Sequence, residues 1–156
     1  MGLGLSKIKH IKLPVTDVRR SVSWYREVFD LELFMEFAEQ GEIRGASLLD
    51  RDGGYEIALR QREHCASKPD LTGFDAFALT AADRETLVRI AERCDRLEIA
   101  HSGVRDVPGF ASSLDIPDPD GTVVRLHWRD PAAPDRFLGV DTDAAGTMVP
   151  YFTPRL

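Results

Sequence analysis

The order of segments in the first half of the chain returns in the second half at a fixed offset, and this constrains the fold more than any single motif. Ile8–Val15 alternates as a strand. Thr16-Asp17 then opens a helical pattern in which Val18, Val22, Tyr25 and Phe29 share one face, with Thr16 or Asp17 as the cap. Three more strand-like stretches follow: Leu31–Glu39, Ile43–Leu49 and, after the turn Asp50-Arg51-Asp52-Gly53-Gly54, Tyr55–Gln61. Phe74–Ala81 restarts the series, and Asp83 stands 66 positions after Asp17, before a helix with Leu87, Ile90, Cys94 and Leu97 on one face. Glu98–Ala100, Gly109–Ile116, the turn Asp118-Pro119-Asp120-Gly121 and Thr122–Trp128 complete it. Each half reads β-α-β-β-β, which predicts an α+β fold. The expected layout is a module over residues 7–61, a linker over 62–73, a second module over 74–128 and a tail over 129–156. That tail holds four of the nine prolines and is expected to wrap an outer edge, with Phe137–Val140 and Pro150–Thr153 as short strands.

Composition narrows the classes of function. The 156 residues carry 20 Lys+Arg against 26 Asp+Glu, a net charge of −6, with 43% hydrophobic and 29% charged residues. These are the proportions of one globular domain. An acidic chain lacks the clustered cations that repay counterion release, so no nucleic-acid partner is expected. Apolar runs of a few residues are far short of the roughly 20 that span a bilayer, so no membrane partner is expected either. Two cysteines without C-x-x-C, and no leading apolar stretch, point to a cytoplasmic protein. Cys65 follows His64, but without a third, orienting group this pair is not a nucleophile signature.

The paired modules, the opening His10-Ile-Lys-Leu-Pro-Val-Thr-Asp17, the segment Ser23-Trp-Tyr-Arg-Glu-Val-Phe-Asp-Leu31 and the closing Asp118-Pro-Asp-Gly-Thr-Val-Val-Arg-Leu126 resemble the vicinal oxygen chelate superfamily. That group includes glyoxalase I, bleomycin-resistance proteins, fosfomycin-resistance enzymes and extradiol dioxygenases. The resemblance covers residues 7–128. It implies a curved, cup-shaped mixed sheet with helices on the convex face, a small-molecule ligand in the cup, and a homodimer.

Strand neighbours point to opposite faces, so the sequence says which side chains share the cup. Ile11, Leu13 and Val15 form a core face, leaving His10, Lys12 and Pro14 on the other. Tyr55, Ile57 and Leu59 leave Glu56, Ala58 and Arg60; Val124, Leu126 and Trp128 leave Val123, Arg125 and His127. Trp24 and Tyr25, on the first helix, read as core. The resemblance implies metal ligands on the first and last strand of each module. His10 suits such a place, Ala76 has no donor atom, Arg125 is a permanent cation that repels a metal, and the remaining place is Ala58 or, with one pleat of slack, Glu56.

The candidate ligand-binding residues are therefore His10, Lys12, Glu56, Arg60, Arg125 and His127, with no metal ligand set and no cofactor expected. Arg125 needs a partner, either Glu56 or a ligand anion. The leading expectation is a metal-independent protein that sequesters or senses a small, anionic molecule. The alternative is a lyase, isomerase or extradiol-type dioxygenase with His10, Glu56 and His127 on a divalent ion such as Zn, Ni, Mn or Fe. A third is metal-free catalysis, with His10 as general base and Arg125 stabilising an oxyanion.

Overall fold

A computed structural model describes residues 3, 7–134 and 139–155. The first module consists of β1 (Ile11–Val15), α1 (Val18–Phe29), β2 (Glu32–Glu39), β3 (Glu42–Leu49) and β4 (Glu56–Gln61). A single 3-10 turn over Arg62–His64 leads into the connecting segment. The second module consists of β5 (Phe77–Thr80), α2 (Arg84–Arg96), β6 (Arg105–Val107), β7 (Ala111–Pro117) and β8 (Val123–Arg129). The repeat extends to topology. Strand order is β1-β4-β3-β2 in one sheet and β5-β8-β7-β6 in the other, with the first pair of each parallel and the rest antiparallel. The fold is α+β, two βαβββ modules carried by two four-stranded sheets rather than one continuous sheet.

Both helices begin where their aspartates stand. Asp17, with extended backbone, accepts a hydrogen bond from Arg20 N at 3.0 Å, and Asp83 accepts one from Thr86 N at 2.6 Å. Between the two candidate caps of α1, the structure uses Asp17. Thr16 instead donates its hydroxyl to Asp120 Oδ1 at 2.5 Å, across the module boundary. Each helix lies on one face of its own sheet, and the period-two assignment of that face holds: Leu13, Val15 and Ile57 are fully buried, Leu59 is nearly so, and Val124 and Leu126 mirror them. One hydrophobic cluster runs through both modules, from Leu13 to Leu126. Tyr25 is fully buried and Trp24 packs edge-on against it, with ring centroids 4.8 Å apart.

Three expectations change. β1 and β5 each begin three residues later than the alternation suggested. Before β5 the backbone is already engaged elsewhere, since Gly73 N donates to Gly121 O and Val123 N donates to Phe74 O. Glu98–Ala100 is not a strand. Glu98 takes a left-handed backbone (φ 54°), and the amides of Leu97, Glu98 and Ile99 bond back to carbonyls of the last turn of α2, so this stretch closes the helix. The strand that replaces it is β6. In the tail, β9 (Gly139–Thr142) and β10 (Met148–Tyr151) form a two-stranded sheet with each other rather than an edge of the main sheets. Phe137 and Leu138, assigned to a strand from the sequence, lie outside the described residues.

Candidate functional site

The open face of the first sheet carries a hollow of about 500 Å³. Its walls follow from strand register. β1 and β4 run parallel with Ile11 opposite Ile57, Lys12 opposite Ala58 and Pro14 opposite Arg60, and one step back sets His10 beside Glu56. On the other side of β4, Ser47 faces Ala58 and Gly45 faces Arg60; beyond β3, Met35 faces Ser47 and Phe37 faces Gly45. His10, Lys12, Glu56 and Arg60 thus meet in one hollow whose far lip is Met35 and Phe37.

The polar groups differ in how fully they are engaged. Glu56 accepts from the Ser47 hydroxyl and from Lys9 Nζ at 3.0 Å, and these two bonds hold its carboxyl below the usual carboxylate range. Arg60 donates to Glu39 Oε1 at 2.6 Å, which lowers the Glu39 carboxyl in turn. Lys12 has no hydrogen-bond or ion-pair partner among the described residues. The Nδ1 of His10 is shielded from solvent and equally without a partner. An unmatched ammonium therefore lines the hollow beside an apolar lip, and the imidazole of His10 forms part of the wall.

Arg125 and His127 lie elsewhere, on the open face of the second sheet. Arg125 donates from Nε and Nη2 to the two oxygens of Asp115, at 2.8 and 3.0 Å, and its Nη1 lies 2.5 Å from Asp75. Asp115 also receives Arg105, and both arginines hold its carboxyl low. Arg125 thus pairs with Asp115 and Asp75 rather than with Glu56. His127 is half-buried, paired in register with Ser113 and Thr80.

A second, smaller hollow of about 410 Å³ lies at the start of both modules and is shared by His10, Glu56 and Ala76. Ala76 does stand where its counterpart His10 stands, and it brings no donor. Both oxygens of Glu56 already accept hydrogen bonds, and Arg125 is a bound cation. Among the described residues no three His, Cys, Asp or Glu side chains gather as a metal site. The donor set of a single chain, one imidazole and one engaged carboxylate, does not fit the three-ligand centre that metal-dependent relatives imply.

Met35 and Phe37 were not among the residues singled out from the sequence. Leu33-Phe34-Met35 lacks period-two alternation, so no face was assignable there. β2 is irregular in its pairing with β3 between Leu33 and Met35 and again between Phe37 and Ala38, and such bulges re-aim side chains. The signal was the apolar run itself: all four of Leu33, Phe34, Met35 and Phe37 are at least 40% exposed.

No curated protein sequence matches the chain. Among solved structures, similarity is at the level of fold. A glyoxylase/bleomycin resistance protein/dioxygenase domain from Frankia sp. EAN1pec is 21% identical, with TM-score 0.66 over 82% of this chain and 95% of that one. TnmS3, an antibiotic binding protein from Streptomyces sp. CB03234, is 16% identical, with TM-score 0.69 over 83% and 100%. The fosfomycin resistance protein FosX from Listeria monocytogenes is 20% identical, with TM-score 0.63 over 80% and 93%. A sequence model of the Glyoxalase/Bleomycin resistance protein/Dioxygenase superfamily matches residues 7–126, through both modules. With the repeated βαβββ topology already in place, that match identifies the chain as a member of this superfamily.

Proposed function

We propose that the protein binds a small organic anion in the hollow of the first sheet and does so without a metal, sequestering or sensing the molecule rather than transforming it. The observation that carries this reading is the pairing of an unmatched Lys12 ammonium with the apolar lip of Met35 and Phe37, in a hollow that the His10 imidazole also lines. A ligand with a negatively charged end and a flat apolar body satisfies both halves of that surface. A similar fold in an antibiotic binding protein supports a binding role, without extending that ligand to this chain. We place the protein in the cytoplasm, in keeping with its two free cysteines, and as a homodimer, since the exposed Leu33 and Phe34 of β2, outside the lip of the hollow, are the kind of surface a second copy covers.

A thermal-shift screen of aromatic and aliphatic carboxylates and phosphonates tests the proposal. A true ligand at 100 times its Kd adds about 2.7 kcal/mol of stability. Lys12→Ala is expected to weaken its binding by about tenfold, the worth of one charge-assisted hydrogen bond. Equal affinity of wild type and variant places the ligand elsewhere. The second reading, an enzyme using His10 and Glu56 on a divalent ion, is favoured by the adjacency of those two side chains. It requires near one equivalent of Zn, Ni, Mn or Fe per chain by elemental analysis of protein purified without chelator. Well under one equivalent is expected.

A further inference from the structure

On the helix side, a depression of about 470 Å³ lies where the two modules meet; it shares no lining residue with the hollow of about 500 Å³ on the first sheet, and shares Tyr55 and Leu79 with the smaller hollow. Its base is apolar. Val28 and Leu126 are buried there, and Phe29, Leu79 and Ile90 rise around them half-exposed. One wall is α2, which presents Arg89, Arg93 and Arg96. Their spacing of four and then three residues sets them along one face of the helix, where like charges repel.

This row is only partly neutralised. Arg89 donates to the Thr86 hydroxyl at 2.7 Å and stands 3.7 Å from Asp83. Arg93 donates from Nε to the carbonyl of Glu27 at 2.8 Å. Arg96 has no hydrogen bond or ion pair among the described residues. Asp30 and Asp50 also line the depression, but neither forms an ion pair with these arginines. The hydroxyl of Tyr55, half-buried at the opposite wall, has no hydrogen-bond partner either. An apolar base, a row of cations and an unmatched phenol thus converge on one space in a chain whose net charge is −6.

We propose that this depression is a second ligand site, taking an amphipathic carboxylate whose head lies at Arg93 and Arg96 and whose apolar body lies on Phe29, Leu79 and Ile90. The volume falls in the range of sites that enclose small organic molecules. The carboxylate relieves the repulsion along α2, and the apolar body covers surface that water now meets. Because the walls come from both modules, the bound acid bridges them. The site is independent of the function proposed for the first sheet.

Isothermal titration with decanoate, with 1-decanol as the uncharged comparison, tests this. Saturable binding of decanoate is expected, at least tenfold tighter than decanol. Arg96→Glu, which breaks no side-chain hydrogen bond or ion pair among the described residues, is expected to weaken decanoate at least tenfold, with the melting temperature lowered only slightly by an anion in the last turn of α2. Ala82→Trp, at an exposed position on the rim, is expected to fill the space and abolish binding. The proposal is overturned by the absence of saturable binding, by equal affinity for acid and alcohol, or by undiminished binding in Arg96→Glu. Loss of binding in Lys12→Ala with retention in Arg96→Glu also overturns it, by moving the acid to the first hollow.

Discussion

Asp118 is a carboxylate enclosed by the fold, and its neighbours explain how it is tolerated. It is 5% exposed, accepts from the amides of Asp120 and Thr122 at 2.9 Å each, and takes the Tyr25 hydroxyl at 3.0 Å. Burial nonetheless pushes its carboxyl above the usual range, and the same burial, with Asp118 alongside, pushes the Tyr25 phenol up. Tyr25→Phe removes one of three donors while preserving shape. A loss of about 1–2 kcal/mol is expected by urea denaturation, because the buried oxygen is left under-satisfied. A change within error would mean that water replaces the phenol. Asp106 is the opposite case. It accepts from Nε and Nη2 of Arg84 and from the Ser112 hydroxyl, which hold its carboxyl at about 2 against an ordinary 3.8. A depressed folded pKa contributes stability above the unfolded value and loses it as pH falls through the folded one. Stability is therefore expected to decline between about pH 4 and pH 2, and Asp106→Asn to flatten that limb in acid titrations followed by circular dichroism.

At the scale of elements, β3 depends on one small residue. A Cβ on Gly45 would sit 2.8 Å from the carbonyl oxygen of Leu59 on the paired strand and 3.4 Å from the Phe37 ring. The first contact is backbone and does not yield cheaply. Gly45→Ala is expected to cost about 1–3 kcal/mol, the usual range for overpacking, and to displace Phe37 from the lip of the hollow. A variant as stable as wild type in chemical denaturation would show that β3 shifts freely against β4. The same element shows why the sequence was readable in some places and not in others. Where one face of a strand packs on a helix, as in β1, β4 and β8, alternation names both faces, and His10, Lys12, Glu56 and Arg60 follow from it. β2 packs on little, so its pattern is free of that constraint and its bulges hid Met35 and Phe37. The partners of Arg125 were hidden for another reason: Asp115 meets it only through the register of β7 with β8, which no local pattern encodes. Residues that close a helix by returning to its carbonyls, as Glu98 and Ile99 do, look like a strand when read one residue at a time.

The modules are joined at their ends and through their core. Tyr25 of α1 and Thr16, just before its cap, reach Asp118 and Asp120 of the β7–β8 turn, Arg93 of α2 donates back to the carbonyl of Glu27, and the hydrophobic cluster is continuous across the boundary. Opening either module would strip these contacts from the other. The whole chain is therefore expected to unfold in a single cooperative step, although its halves are copies of one plan. The protein carries its own reporters. The only tryptophans are Trp24 in α1 and Trp128 in β8, each partly buried against the shared cluster. In Trp24→Phe the remaining fluorescence follows the second module, and in Trp128→Phe it follows the first. Each variant's fluorescence midpoint in urea is expected to coincide with its own circular-dichroism midpoint, with a slope proportional to the surface of the entire chain. A fluorescence transition displaced from the circular-dichroism transition in either variant would mean that one module persists alone, and that the turn carrying Asp118 and Asp120 is a tether between two folding units rather than part of one.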